Sequence, residues 1–300
     1  MKKTSIGGQA VIEGVMMKGP DSIAIAIRKP DGEIELKKEK LKSNRKTISR
    51  LPIIRGMFAF VDAMVIGIKA LSFSAEFIEE EEEKKPKKPS KWDNFLDKNM
   101  IVISIVFSIF FSIGLFILLP TLAVSFIGNV SKSPLVMNLI EGVVRVAIFV
   151  GYIAAISRMK DIKRVFEYHG AEHKTIFCYE NEEELTPENA RKFTRLHPRC
   201  GTSFLFLVMI VSILLFSFFR WPNLLMRLVI RIALMPLVAG ISYEIIKWAG
   251  RSDSKLVCTI SAPGLWLQKI TTQEPDDSQL EVAIEALKNV LVEDREADLW

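Results

Sequence analysis

The chain has 300 residues, of which 49% are hydrophobic, a mean hydropathy of +0.25 and a formal net charge of +5. That apolar balance excludes an ordinary soluble domain of this length. The small basic excess fits a membrane protein's charge bias and attraction to anionic lipid, not sequence-specific nucleic-acid binding.

Residues 1–50 open on Gly7-Gly8-Gln9-Ala10-Val11-Ile12-Glu13-Gly14-Val15-Met16-Met17, which lacks dinucleotide or Walker spacing. Ser22–Ile27, a Pro30-Asp31-Gly32 turn and Ile34–Leu36 then predict a hairpin. These residues therefore form a small β-containing element. Residues 51–78 are long and apolar, but Asp62 and Lys69 fall on one helical face. They predict an amphipathic helix on or dipping into the inner leaflet. Residues 79–99 are a charged, proline-bearing linker.

Four stretches match the roughly 20 apolar residues a bilayer requires, near 101–127, 135–157, 203–219 and 224–246. Residues 100–157 thus carry the first two spans and 203–247 the last two. Between them, residues 158–202 form a polar loop that begins as a continuation of the second span. A helix starts at Thr186-Pro187-Glu188 and ends near His197-Pro198. In 248–300, Ala262–Gln268 breaks the chain at the interface, and Asp276-Asp277-Ser278 caps an amphipathic helix through about Val292. The fold class is mainly α and polytopic.

Loop charges orient the chain. Residues 1–99 hold 20 Lys+Arg, 158–202 hold nine and 247–300 hold six, whereas 128–134 hold only Lys132. The positive-inside rule places both termini and the central loop in the cytoplasm. Residues 4–27 lack a signal-peptide pattern, and the three cysteines argue against disulfides.

All three histidines lie between 169 and 197. His169-x-x-Glu172-His173 puts two imidazoles four apart on one helical face with a carboxylate beside them, the spacing for two metal ligands and a general base. His197 and Cys200, three apart, add a chelating pair. One Zn2+ or similar divalent ion fits this set. Three protein ligands leave a catalytic position, with Glu172 taking a proton from water; four close the site and make it structural. Cys178 reads as core. Within the spans, Glu141 and Arg145 are four apart, and Arg227 and Arg231 lie at similar depth. They predict an interhelical ion-pair cluster, or else a polar headgroup site. Glu244 is a candidate partner of the metal ligands, or pairs with Lys247.

The Gly7–Met17 string, His169–His173, His197-Pro-Arg-Cys-Gly-Thr-Ser-Phe204, Ser242-Tyr-Glu-Ile245 and Ala262–Gln268 together resemble the YqhQ family over nearly the whole chain. The resemblance implies a bacterial cell-membrane protein, sometimes described as a predicted metal-dependent enzyme. It brings no mechanism. Three functions stay open. One is a membrane hydrolase with a cytoplasmic-face metal site. Another is a non-catalytic factor that docks a cytosolic or membrane-protein partner, with any metal structural. The last is a small transporter, disfavoured by the lack of an internal repeat.

Overall fold

The structure, a computed structural model, describes residues 3–41, 51–82, 103–104, 106–126, 133–219, 224–250 and 254–292. Residues 83–99 of the expected linker lie outside them, and Glu79–Glu82 are helical.

An antiparallel sheet of β1 (Gly7–Val11), β2 (Gly14–Lys18), β3 (Ser22–Arg28) and β4 (Ile34–Lys40) forms the N-terminal element. The β3–β4 hairpin falls where the Pro-Asp-Gly turn puts it, with Gly32 at φ +90°. The Gly-rich string before it, left without an element by its sequence, is the β1–β2 hairpin. Its loop holds Glu13 at φ 53°, where Arg164 grips the carboxylate.

β3 alternates isoleucine and alanine, and strand pleating sends the two to opposite faces. Ile23, Ile25 and Ile27, with Val11 and Met16, bury against Ala70, Ile66, Phe73 and Phe77 of helix α1 (Ile54–Glu82). Ala24 and Ala26, with Val15 and Met17, bury against α4 (Lys160–Glu180) and α9 (Asp277–Lys288). The small alanines let those helices approach closely. α9 starts on a full capping box of Asp276 and Gln279 and ends at Lys288, short of Val292.

The apolar part comprises a π-turn (Gly114–Leu118) running into α2 (Leu119–Phe126), α3 (Pro134–Ile156), α6 (Gly201–Ser217) and α7 (Leu224–Gly250). Four helices among the described residues are long and apolar enough to cross a membrane: Ile54–Phe77, Val106–Val124, Leu135–Ile156 and Val229–Ala249. Gly201–Ser217 is apolar but shorter.

Three sequence expectations are corrected. α4 does not continue α3: the Ser157 hydroxyl bonds back to Ala154 O, and Met159 is extended (φ −71°, ψ 135°). The helix at Thr186 starts as expected but α5 (Pro187–Ala190) stops at once, because Lys174 Nζ takes the Arg191 and Phe193 carbonyls. Ala262–Gln268 does not break the chain; α8 (Lys255–Thr271) runs through Pro263. Neighbouring α6 supports it there: a Cβ on Gly264 would stand 2.6 Å from Ser203 Oγ.

Candidate metal centre

Gly170 allows the site to form. The segment leaving α8 crosses α4 so closely that a Cβ there would lie 2.0 Å from Gln273 O. Gln273 N donates to Phe166 O at 2.8 Å, and the neighbouring Thr271 O accepts from His169 Nδ1 at 2.8 Å. One turn on, His173 Nδ1 donates to Arg195 O at 2.5 Å. Two backbone carbonyls therefore engage both Nδ1 atoms and leave both Nε2 atoms facing inward. His169 Nε2 lies 3.1 Å from Cys200 Sγ. The buried His173 Nε2 has no hydrogen-bond partner among the described residues.

Cys200 arrives from the opposite side as the N-cap of α6, its Sγ accepting from Thr202 N at 3.4 Å. The loop before it is clamped by the buried Gln268 side chain, which accepts from His197 N and donates to His197 O, both at 2.8 Å. Donor atoms of His169, His173 and Cys200 lie within 4.8 Å of one another. Two imidazoles and a thiol suit a zinc-class ion. Burial would push the Cys200 thiol up, but the His169 and His173 imidazoles outweigh it and hold it well below the ordinary range. His169 is lifted to about 9: burial opposes its charge, and Cys200 and Glu172 overcome that.

His197, expected as a fourth ligand, is turned away. Its Nδ1 accepts from Arg199 N at 3.3 Å, and its Nε2 lies 3.9 Å from Glu180 Oε2. Glu180 is buried and accepts from Thr4 N at 2.7 Å and from the Arg199 guanidinium, which also donates to Thr4 O at 2.8 Å. This second polar cluster ties the N-terminal strand region to the central segment.

Glu172 Oε2 lies 4.0 Å from His169 Nε2, and Oε1 accepts from Gly8 N at 2.9 Å. A Cβ on Gly8 would meet Glu172 Cγ at 2.9 Å, so only glycine lets β1 lie over the carboxylate. Burial pushes this carboxyl up, offset in part by His173 and His169.

Away from the centre, Glu141 Oε1 accepts from Arg145 at 2.8 Å, from Arg231 at 3.0 Å and from Thr121 Oγ1 at 3.3 Å. The Arg227 side chain lies outside the described residues. Glu244, expected near the candidate ligands, is held by Arg55, whose Nε donates to Oε1 at 2.6 Å. Sequence reasoning missed Gly8, Glu180, Arg199 and Gln268 as site supports. Gly8 and Gln268 do sit in the glycine-rich and Ala262–Gln268 strings, but nothing local marks Glu180.

A model for a family described as "Protein of unknown function (DUF1385)" matches residues 51–293. The "Uncharacterized protein YqhQ" of Bacillus subtilis (strain 168) is 38% identical over 295 residues, covering 95% of this chain and 92% of the relative. No solved structure matches the chain.

Proposed function

The chain belongs to the DUF1385 family, and from its geometry we propose that it is a membrane-embedded, metal-dependent hydrolase with one zinc-class ion held by His169, His173 and Cys200. The observation that carries this reading is the buried Nε2 of His173, which has no hydrogen-bond partner within ordinary distance among the described residues and faces a second imidazole and a thiol. An unmet buried nitrogen is costly unless something occupies it. Three protein donors leave a fourth position, as catalytic zinc sites do.

When bound, such an ion lowers the pKa of water and polarises an acyl or phosphoryl oxygen. The protein's own groups do the rest. Thr271 O and Arg195 O aim the imidazoles, and the Gly8 amide holds one oxygen of Glu172. The other oxygen is left to accept a proton, and burial raises the carboxyl's affinity for it. Cys200 caps the apolar helix α6, so the centre sits where that helix meets the membrane face. Its substrate then presents its scissile bond at that face. The Lys+Arg asymmetry supports a cytoplasmic orientation for that face.

Burial favours a second reading. Cys200 and His173 are buried, and β1 covers Glu172. A closed structural ion would then only hold the central segment, in a factor that docks a cytosolic or membrane-protein partner.

Metal analysis and complementation in one variant series decide between them. We expect one zinc-class ion per purified chain, lost in His169→Ala and His173→Ala and kept in His197→Ala. Glu172→Gln should keep the ion and abolish complementation. Complementation surviving Glu172→Gln but not His173→Ala would establish the structural reading. A metal-free wild type would sink both.

A further inference from the structure

Apolar length alone makes Ile54–Phe77 a candidate membrane span, but its packing argues against a crossing. α6 starts at the candidate metal centre and α7 returns toward it, so Gly250 marks the site side of the membrane. α1 begins against α7 well below that end. A Cβ on Gly56 would stand 2.9 Å from Gly240 Cα, and Arg55 and Ile53 N both bond Glu244. Gly240 is ten residues before Gly250, about 15 Å deep and near mid-bilayer. Ile53 is locked there at φ 66°, a conformation a β-branched residue adopts only when its surroundings impose it.

From that point α1 climbs. Phe60 packs on Phe204 at the start of α6, with ring centroids 6.4 Å apart. Gly67 meets the Gln9 side chain of β1, and Ser74 Oγ accepts from Ile12 N at 3.3 Å. Beyond Gly67 the helix lies under the sheet, whose other face carries α4 and the metal ligands. The stretch free to sit in lipid, Ile54 to Gly67, is about 20 Å long, against the roughly 30 Å of a hydrocarbon core. Lys69 and Glu76, which a span would carry into or across the hydrocarbon, are exposed at the level of the sheet.

We propose that α1 does not cross the membrane. It is a half-depth helix whose N-terminal end dips into the leaflet beside the site, and the acyl chains of that leaflet cover Phe58, Val61, Met64, Val65 and Ile68. These side chains form one continuous exposed apolar stripe; Val61 is 54% and Ile68 60% exposed. α6, about 26 Å long, is then the fourth crossing beside α3, α7 and the Val106–Val124 helix. The sheet before α1 and the C-terminal end of α1 stay on the site side.

The full chain in phospholipid vesicles tests this in two ways. Single cysteines at Glu39→Cys and Ser90→Cys, read against the wild-type background, should react with an impermeant maleimide from the same side as Asn181→Cys. Labelling of Ser90→Cys from the side opposite Glu39→Cys would overturn the proposal. Spin labels at Phe58, Val65 and Leu71 should become shallower in that order, by oxygen against nickel-chelate accessibility. A span would make Val65 the deepest. Labels shielded from both collision partners would mean that a second chain, not lipid, covers the stripe, which also overturns it.

Discussion

His197 and Cys200 stand three residues apart with similar claims as ligands, and backbone geometry separates them. Cys200 caps α6 and faces inward, while the Gln268 clamp turns the His197 ring onto Glu180 and Phe177. Spacing shows which donors a segment offers; it does not show which way a clamped loop rotates them. The α4 pair was legible because four residues on a helix share a face. The supports were not, because Gly8 and Glu172 are 164 residues apart and Thr4 and Glu180 are 176 apart. The turned-away ring carries its own prediction. Burial lowers the His197 pKa to about 4; the Glu180 carboxylate pulls the other way, and His173 and Arg199 add repulsion to the lowering side. The unfolded value is about 6.5, so between these values the unfolded chain binds more protons and stability falls as pH falls. Glu180 acts in the same direction. Burial would raise its carboxyl, but His197 and Arg199 outweigh that and hold it low. Its contribution is present above an unfolded value of about 4.3 and is lost as pH drops through the folded one. The unfolding midpoint in detergent should therefore drop between pH 6.5 and 4.5. His197→Asn, whose oxygen can still accept from Arg199 N, should shrink that drop; an undiminished drop would refute the assignment to His197.

At the level of elements, hydropathy found the apolar helices because bilayer thickness sets their length, and the Pro-Asp-Gly turn between two apolar runs found the β3–β4 hairpin but not β1 and β2. Breaks were harder. α3 ends at Ser157 without Gly or Pro, through a hydroxyl that competes for a carbonyl, while α8 passes through Pro263 because α6 supports it. In both cases tertiary contact overrode the local signal. The α1–α7 crossing depends on such contact. Gly56→Ala would bring a methyl 2.7 Å from Tyr243 Cβ and 2.9 Å from Gly240 Cα. Overpacking of this kind costs about 1–3 kcal/mol. Gly151, in α3, has nothing within 4 Å of its Cβ position, so Gly151→Ala should be neutral or stabilise by about 0.5–1 kcal/mol through helix propensity. Thermal unfolding in detergent should separate the two. Equal effects would mean that helix propensity, and not close approach, governs position 56.

Across the whole molecule, two polar assemblies organise opposite ends of the apolar bundle. The candidate metal centre gathers α4, the α6 N-terminus and the end of α8. In the far half, Glu141 of α3 draws in Arg231 of α7 and Thr121 of α2, while Arg145 also donates to Phe116 O in the π-turn at 3.1 Å. That arrangement is the interhelical ion-pair reading of the intramembrane charges, because one carboxylate oxygen is shared by two guanidinium groups and a hydroxyl. Polar contacts between membrane helices are worth about 0.6–2 kcal/mol, so Glu141→Gln should lower stability in detergent by that amount. Arg231→Gln should cost a similar amount alone. Since each variant removes the same contact, the double variant should cost less than the sum. Strict additivity would show that Glu141 and Arg231 do not interact, and the helices would then owe their arrangement to apolar packing such as Gly142 against Ile213.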